Sequence, residues 1–125
     1  MYTSLSPKKI ILEAKDISLS FGGVDALSKV SFSVTEGDFF SIIGPNGAGK
    51  TSMLNVISGR YKPSSGEILF NGKNITKLAT NKRAYLGIGR TFQNLALFNH
   101  MSVLENILVG RHHLLQSGFL KGSLY

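Results

Sequence analysis

Apolar positions recur along the chain in two periods, and the periods divide it into elements. From residue 10 to 21, Ile10, Leu12, Ala14, Ile17, Leu19 and Phe21 nearly alternate with polar residues, and the break at Lys15-Asp16 predicts a strand with one kink or bulge. Gly22-Gly23 then turns the chain. Val30, Phe32 and Val34 alternate with Ser31, Ser33 and Thr35, which predicts an antiparallel neighbour that ends at Glu36-Gly37-Asp38. The run Phe39-Phe40-Ser41-Ile42-Ile43 is continuous instead of alternating, the pattern of a strand buried on both faces. Beyond residue 50 the period becomes helical. Met53, Leu54, Val56 and Ile57 form one apolar face, and Ser58-Gly59 predicts the helix end. Pro63-Ser64-Ser65-Gly66 is turn chemistry, 67–70 reads as a strand, and Asn71-Gly72 closes it tightly. A short helix is expected over 80–86 with Thr80 as its cap, then a strand over 88–92. Ser102, with Glu105 three positions on, opens a helix through Val103, Leu104, Ile107 and Leu108, which Gly110 weakens without ending.

Between the buried run and the helix lies Gly44-Pro45-Asn46-Gly47-Ala48-Gly49-Lys50-Thr51, which fits the pattern G-x-x-x-x-G-K-[ST]. Composition alone would produce that pattern in about one such chain in fifty, but the order strand, glycine loop, helix is the one phosphate binding requires. Glycines at 44, 47 and 49 let backbone N–H groups converge on phosphate oxygens, and the helix N-terminus adds unpaired N–H groups and a positive dipole end. Lys50 would reach the β- and γ-phosphates, and the Thr51 hydroxyl would enter the shell of a Mg²⁺ ion shared with them. The ligand expected is Mg²⁺ with a nucleoside triphosphate.

Composition changes this picture little. With 42% hydrophobic and 17% charged residues, the 125-residue chain is of ordinary globular type and suits one domain, although it is short for an enzyme of this class. No cysteine is present, which excludes disulfides and thiolate metal sites and fits a reducing cytoplasm. No apolar run approaches the ~20 residues that cross a bilayer, and residues 1–9 carry no signal-like segment, so a cytosolic chain is expected. The net charge of +7 comes from scattered residues, Lys8-Lys9 and Lys82-Arg83 being the adjacent pairs, and reads as a solvated surface. A nucleic-acid binder would want a stripe of basic and aromatic residues, and none is seen. His100, His112 and His113 lack acidic or cysteine partners at ligand spacing and read as surface residues. The last stretch, 118–125, has no clear period and no terminal cap, so it reads as a chain cut short.

Taken with Gly89-Arg90-Thr91-Phe92-Gln93-Asn94, the loop and its helix give a chain that resembles the ATP-binding subunit of ABC transporters from about Leu12 onward. The resemblance implies an α/β fold, the P-loop nucleoside triphosphate hydrolase fold of ABC type. In it an antiparallel β layer joins a P-loop core, and residues 1–125 form the N-terminal half of the nucleotide-binding domain, truncated before the second half. It further implies that Phe21 stacks on adenine, that Ser52 lies near the α-phosphate, and that the Gln93 amide oxygen contacts Mg²⁺ and the attacking water. Read alone, Gln93 is a plain polar residue. The run 87–95 with Leu97-Phe98, Met101-Ser102-Val103 and Glu105-Asn106-Ile107 is similar to the branch serving branched-chain amino-acid uptake, whose pattern importers of urea or other amides share. By resemblance, ATP hydrolysis would proceed by in-line attack of water, with Lys50 and Gln93 as catalytic residues, Thr51 and Gln93 on the metal, and ATP and Mg²⁺ as cofactors. The partners implied are transmembrane permease subunits and a second ATP-binding subunit, as homo- or heterodimer, with no nucleic acid. The location implied is peripheral, on the inner face of the plasma membrane. Three family features are not found in these residues: the signature sequence, the acidic residue of the following strand, and the switch histidine. The alternative is a nucleotide-binding module without turnover.

Overall fold

The computed structural model describes residues 6–92 and 96–111. The chain divides into two compact units, residues 1–83 and 84–125. The first is built on an antiparallel sheet of four strands in the order β2-β1-β3-β4. β1 (Ile10–Phe21) and β2 (Val24–Thr35) form a hairpin across Gly22-Gly23, so β2 starts earlier than its alternation alone predicts. The anticipated kink is a bulge: the ladder shifts between Ala14 and Ile17, and Asp16 sits at φ 47. β3 (Ser65–Phe70) pairs with the other side of β1 and β4 (Lys73–Asn74) closes the sheet. Between them Asn71 (φ 50) and Gly72 (φ 78) make the tight turn their sequence predicts. Ser65 and Gly66 belong to β3 and not to the preceding turn. A Cβ on Gly66 would stand 2.4 Å from the Asp16 carbonyl oxygen, so β3 crosses the bulge where only glycine fits.

Helix α1 (Lys50–Ser58) packs Met53 and Val56 into a core with Ala14, Ile17, Leu19, Leu27, Ile68 and Ile75, all buried. Gly59, at φ 84, ends it as expected. On its other side Leu54 and Ile57 line an open apolar groove with Phe32, Phe40 and Ile42. Helix α2 (Thr80–Tyr85) starts with Thr80 inside the helix, not capping it. Arg83 overturns the reading of Lys82-Arg83 as a solvated pair, because it is 1% exposed.

Two expected strands do not form. Residues 39–43 pair with no strand among those described, and Phe39 and Ile43 are fully or nearly fully exposed. Residues 88–92 are likewise irregular. An apolar run becomes a strand only when a neighbouring strand takes up its N–H and C=O groups in a ladder, and no strand among the described residues pairs with either run. What holds the first of these runs is local, since Phe40 stacks on Phe32 of β2 with ring centroids 5.0 Å apart.

In the second unit, helix α3 (Val103–Gly110) begins with the capping box its sequence predicts. The Glu105 N–H donates to Ser102 Oγ at 3.2 Å, and the Ser102 N–H donates to Glu105 Oε2 at 2.7 Å. The Ser102 N–H, and after it the Ser102 hydroxyl, hold the Glu105 carboxyl below its ordinary range. Asn106 fastens the preceding turn, accepting from the Phe98 N–H and donating to the carbonyls of Met101 and Ser102.

Candidate functional site

The glycine loop leaves the irregular stretch 39–43 and enters α1 through two left-handed residues, Gly47 at φ 85 and Gly49 at φ 87. Ala48 closes the turn between them, its N–H donating to the Pro45 carbonyl at 3.1 Å. Gly49 is the N-cap of α1 and supplies no side chain to it, while its carbonyl accepts the Met53 N–H at 2.9 Å. The first N–H groups of a helix have no partner within it. Here those of Lys50, Thr51 and Ser52 receive no capping side chain, and no acidic residue stands in the first turn. They remain free to donate to an anion.

Gly49 is held in place by β2. A Cβ there would fall 2.5 Å from the Ala26 carbonyl oxygen and 2.8 Å from Leu27 Cδ2, so the loop lies directly against that strand. Beside it a hollow of about 240 Å³ is lined by Ala26, Asn46, Gly47, Gly49, Lys50, Thr51 and Ser52. The cradle is therefore mostly backbone and short polar side chains, with one cation. Lys50 folds back so that its Nζ donates to the Gly44 carbonyl, which closes the loop into a ring through the Lys50 side chain. A Cβ on Gly44 would meet that of Ala48 at 3.0 Å, so the ring is drawn tight.

This donor set suits a polyphosphate and a hard divalent cation carried with it. Lys50 offers charge, the first turn of α1 offers N–H groups, and the Thr51 hydroxyl, on an exposed residue, is an oxygen ligand of the kind Mg²⁺ prefers. Among the described residues no cluster of His, Cys, Asp and Glu could hold a metal by itself, so a cation here would depend on oxygen atoms of the ligand.

The structure thus brings together Gly44, Pro45, Asn46, Gly47, Ala48, Gly49, Lys50, Thr51 and Ser52. Phe21 does not line this hollow. It ends β1 about half exposed, and Tyr61 meets it edge to face with centroids 5.2 Å apart. Gln93, His112 and His113 lie outside the described residues; His100 is exposed. Sequence reasoning missed Tyr61 and Arg83, whose surroundings come from segments distant along the chain.

Comparison with known proteins agrees with this geometry. The family model described as ABC transporter matches residues 27–121. The chain is 44% identical over 112 residues to the high-affinity branched-chain amino acid transport ATP-binding protein BraF of Pseudomonas aeruginosa, a stretch that is 90% of this chain and 44% of that protein. It is 47% identical over 94 residues to the spermidine/putrescine import ATP-binding protein PotA of Protochlamydia amoebophila, covering 75% of this chain and 24% of that protein. Among solved structures, an ATP-binding cassette of an ABC transporter in its ADP conformation superposes with a TM-score of 0.77 at 39% identity, over 93% of this chain and 46% of that one. A dimeric bacterial ABC transporter cassette gives a TM-score of 0.75 at 28% identity, over 86% and 50%. The chain therefore spans less than half the length of the two named relatives. Since the matched residues contain the glycine loop, α1, β3 and α3, and the sheet superposes with those cassettes, the chain belongs to the ABC transporter family.

Proposed function

We propose that residues 1–125 are the phosphate-binding, N-terminal half of an ATP-binding subunit whose whole form hydrolyses ATP to drive import of a solute through a membrane permease. One observation carries the reading: an uncapped nine-residue helix opens onto a glycine loop closed into a ring through Lys50. Lys50 leaves the Gly44 carbonyl for the β- and γ-phosphates, a charge-assisted contact in place of a neutral one. The amides of residues 47–52 hold the remaining oxygens, with Ser52 nearest the α-phosphate and Thr51 sharing Mg²⁺. When bound, that ion neutralises phosphate charge. Phe21 offers one ring face to adenine. Gln93 places the attacking water in the whole protein, as the family resemblance implies.

Similarity to a branched-chain amino acid transport protein, BraF, and to a polyamine import protein, PotA, supports solute transport as the process and import as its direction. Branched-chain amino acids are the solute we favour, because the similarity to BraF extends over 90% of the chain against 75% for PotA. Similarity to PotA supports a polyamine as the second reading. Partners are permease subunits and a second ATP-binding subunit, the latter supported by the likeness to a dimeric cassette. None of the helices described is long and apolar enough to cross a membrane, so attachment at the inner membrane face would run through the permease.

Calorimetry with Mg²⁺-ATP tests the reading. Lys50→Ala should weaken binding by about 1.5–3 kcal/mol, or about 10- to 150-fold. Equal affinity within a factor of about two, in a variant folded by circular dichroism, would remove Lys50 from the site.

A further inference from the structure

Arg83 is the most deeply buried cation described, and its surroundings are unusual for a charge. Its guanidinium donates from Nε to the Leu78 carbonyl at 2.8 Å, from Nη1 to the carbonyls of Val56 and Ile57 at 2.7 and 2.8 Å, and from Nη2 to that of Thr76 at 2.9 Å. No carboxylate among the described residues pairs with it. Burial alone lowers its pKa, and arginine stays protonated in proteins regardless. The compensating partial charges are the carbonyls, two of which belong to the last turn of α1, where the helix dipole is negative.

The geometry points to Arg83 as a positioning residue for the phosphate loop, fixing α1 at the end opposite the one that binds. This inference rests on the phosphate-loop reading and adds to it a residue outside the motif. The chain of contacts is continuous. Thr76 Oγ1 accepts the Ile68 N–H of β3 at 2.9 Å, and the Ile75 N–H donates to the Ile68 carbonyl at 2.9 Å. Ile68 is paired with Ala14 of β1. Arg83 thus couples the C-terminus of α1 to the sheet through residues 76–78. At the other end α1 touches the sheet through Gly49 against Ala26 and Leu27.

A helix of nine residues spans about 13 Å at its usual rise, and over that length it moves as a rod. Released at its C-terminus, α1 can tilt about the Gly49 contact and re-aim the N–H groups of residues 50–52, whose value depends on their direction. Gly59 protects the arrangement. A Cβ there would stand 2.8 Å from Arg83 Nε, and its φ of +84 already excludes most side chains. Lysine cannot replace the guanidinium, because one ammonium cannot reach carbonyls arranged around a planar fork.

The test uses the 125-residue chain and Mg²⁺ with inorganic tripolyphosphate, which isolates phosphate binding from any base contact. Affinities are compared at a temperature where circular dichroism shows every variant folded. Arg83→Met should bind about 10-fold more weakly than the parent, and Arg83→Lys and Gly59→Ala about 3-fold or more. The core variant Ile17→Val, chosen to lower thermal stability while leaving every carbonyl bonded to Arg83 and every loop residue in place, should bind as the parent does. Amide shifts of residues 49–52 in the free protein should move in the Arg83 variants and stay put in Ile17→Val. If Arg83→Met does not fold, Arg83→Lys and Gly59→Ala decide the question by the same two readouts. Arg83 variants that lose thermal stability yet bind tripolyphosphate like the parent, with unmoved loop amides, would overturn the inference and leave Arg83 a purely structural residue. Equal binding by the parent and Lys50→Ala would instead overturn the phosphate-loop reading beneath it.

Discussion

Gly49 shows how closely backbone and function are joined at single residues. Its φ of 87 and the 2.5 Å approach of a would-be Cβ to the Ala26 carbonyl mean that Gly49→Ala must both strain the backbone and push the loop off β2. A left-handed non-glycine residue costs about 1–3 kcal/mol, so thermal unfolding should show a loss in that range, and Mg²⁺-ATP titration a weakened site. An alanine variant as stable as the parent would show that the loop can shift freely. Phe21 makes the complementary case, being outside the hollow at the loop and half exposed. Phe21→Ala should lose about 1–3 kcal/mol of affinity for ATP and none for tripolyphosphate, while Phe21→Tyr binds like the parent. Loss with both ligands would mean that the ring supports the fold and not the base. Gly49 was legible in the chain because the motif specifies it. Arg83 was not, since its burial depends on carbonyls of residues 56, 57, 76 and 78, and local pattern marks it only as half of a basic pair.

Elements whose signals are local were read well. The β1 bulge, the Asn71-Gly72 turn, the Gly59 stop and the capping box of α3 are each set by a few neighbouring residues, and each is found. The runs 39–43 and 88–92 were read as strands because they are apolar and short. A ladder, however, is a property of two segments, and hydrophobicity in one does not supply the other. The α3 capping box carries its own prediction. The Ser102 bonds depress the Glu105 pKa, so the stabilisation they give is present above the ordinary glutamate range and is lost as pH falls through the depressed value. Protection factors of the first-turn amides of α3, which correct for the intrinsic slowing of exchange in acid, should therefore fall on acidification. Ser102→Ala should lower them at neutral pH but keep most of the pH dependence, because the backbone N–H that depresses Glu105 most remains, whereas Glu105→Gln should remove it. Unchanged exchange in Ser102→Ala would mean that neighbouring contacts, and not the cap, hold the turn.

At the scale of the molecule, binding and turnover separate. Phosphate binding needs the loop and α1, whereas rapid hydrolysis also needs a group that orients water and charge brought by a partner. The relatives extend over more than twice the length matched here. The 125-residue chain should therefore release no phosphate from ATP above a Lys50→Ala control, and a continuous chain of the relatives' length should restore turnover and ATP-dependent dimerisation. Mg²⁺-dependent release by the short chain above that control would show that the residues present already form a working site. The central claim, that the free amides at the start of α1 and the ring through Lys50 bind polyphosphate, is tested most directly by amide NMR during a Mg²⁺-ATP titration. The account predicts that shifts concentrate at Gly47, Gly49, Lys50, Thr51 and Ser52, and that at the same sub-saturating ATP concentration they are much smaller in Lys50→Ala. Shifts that cluster elsewhere, or that persist undiminished in Lys50→Ala, would contradict it.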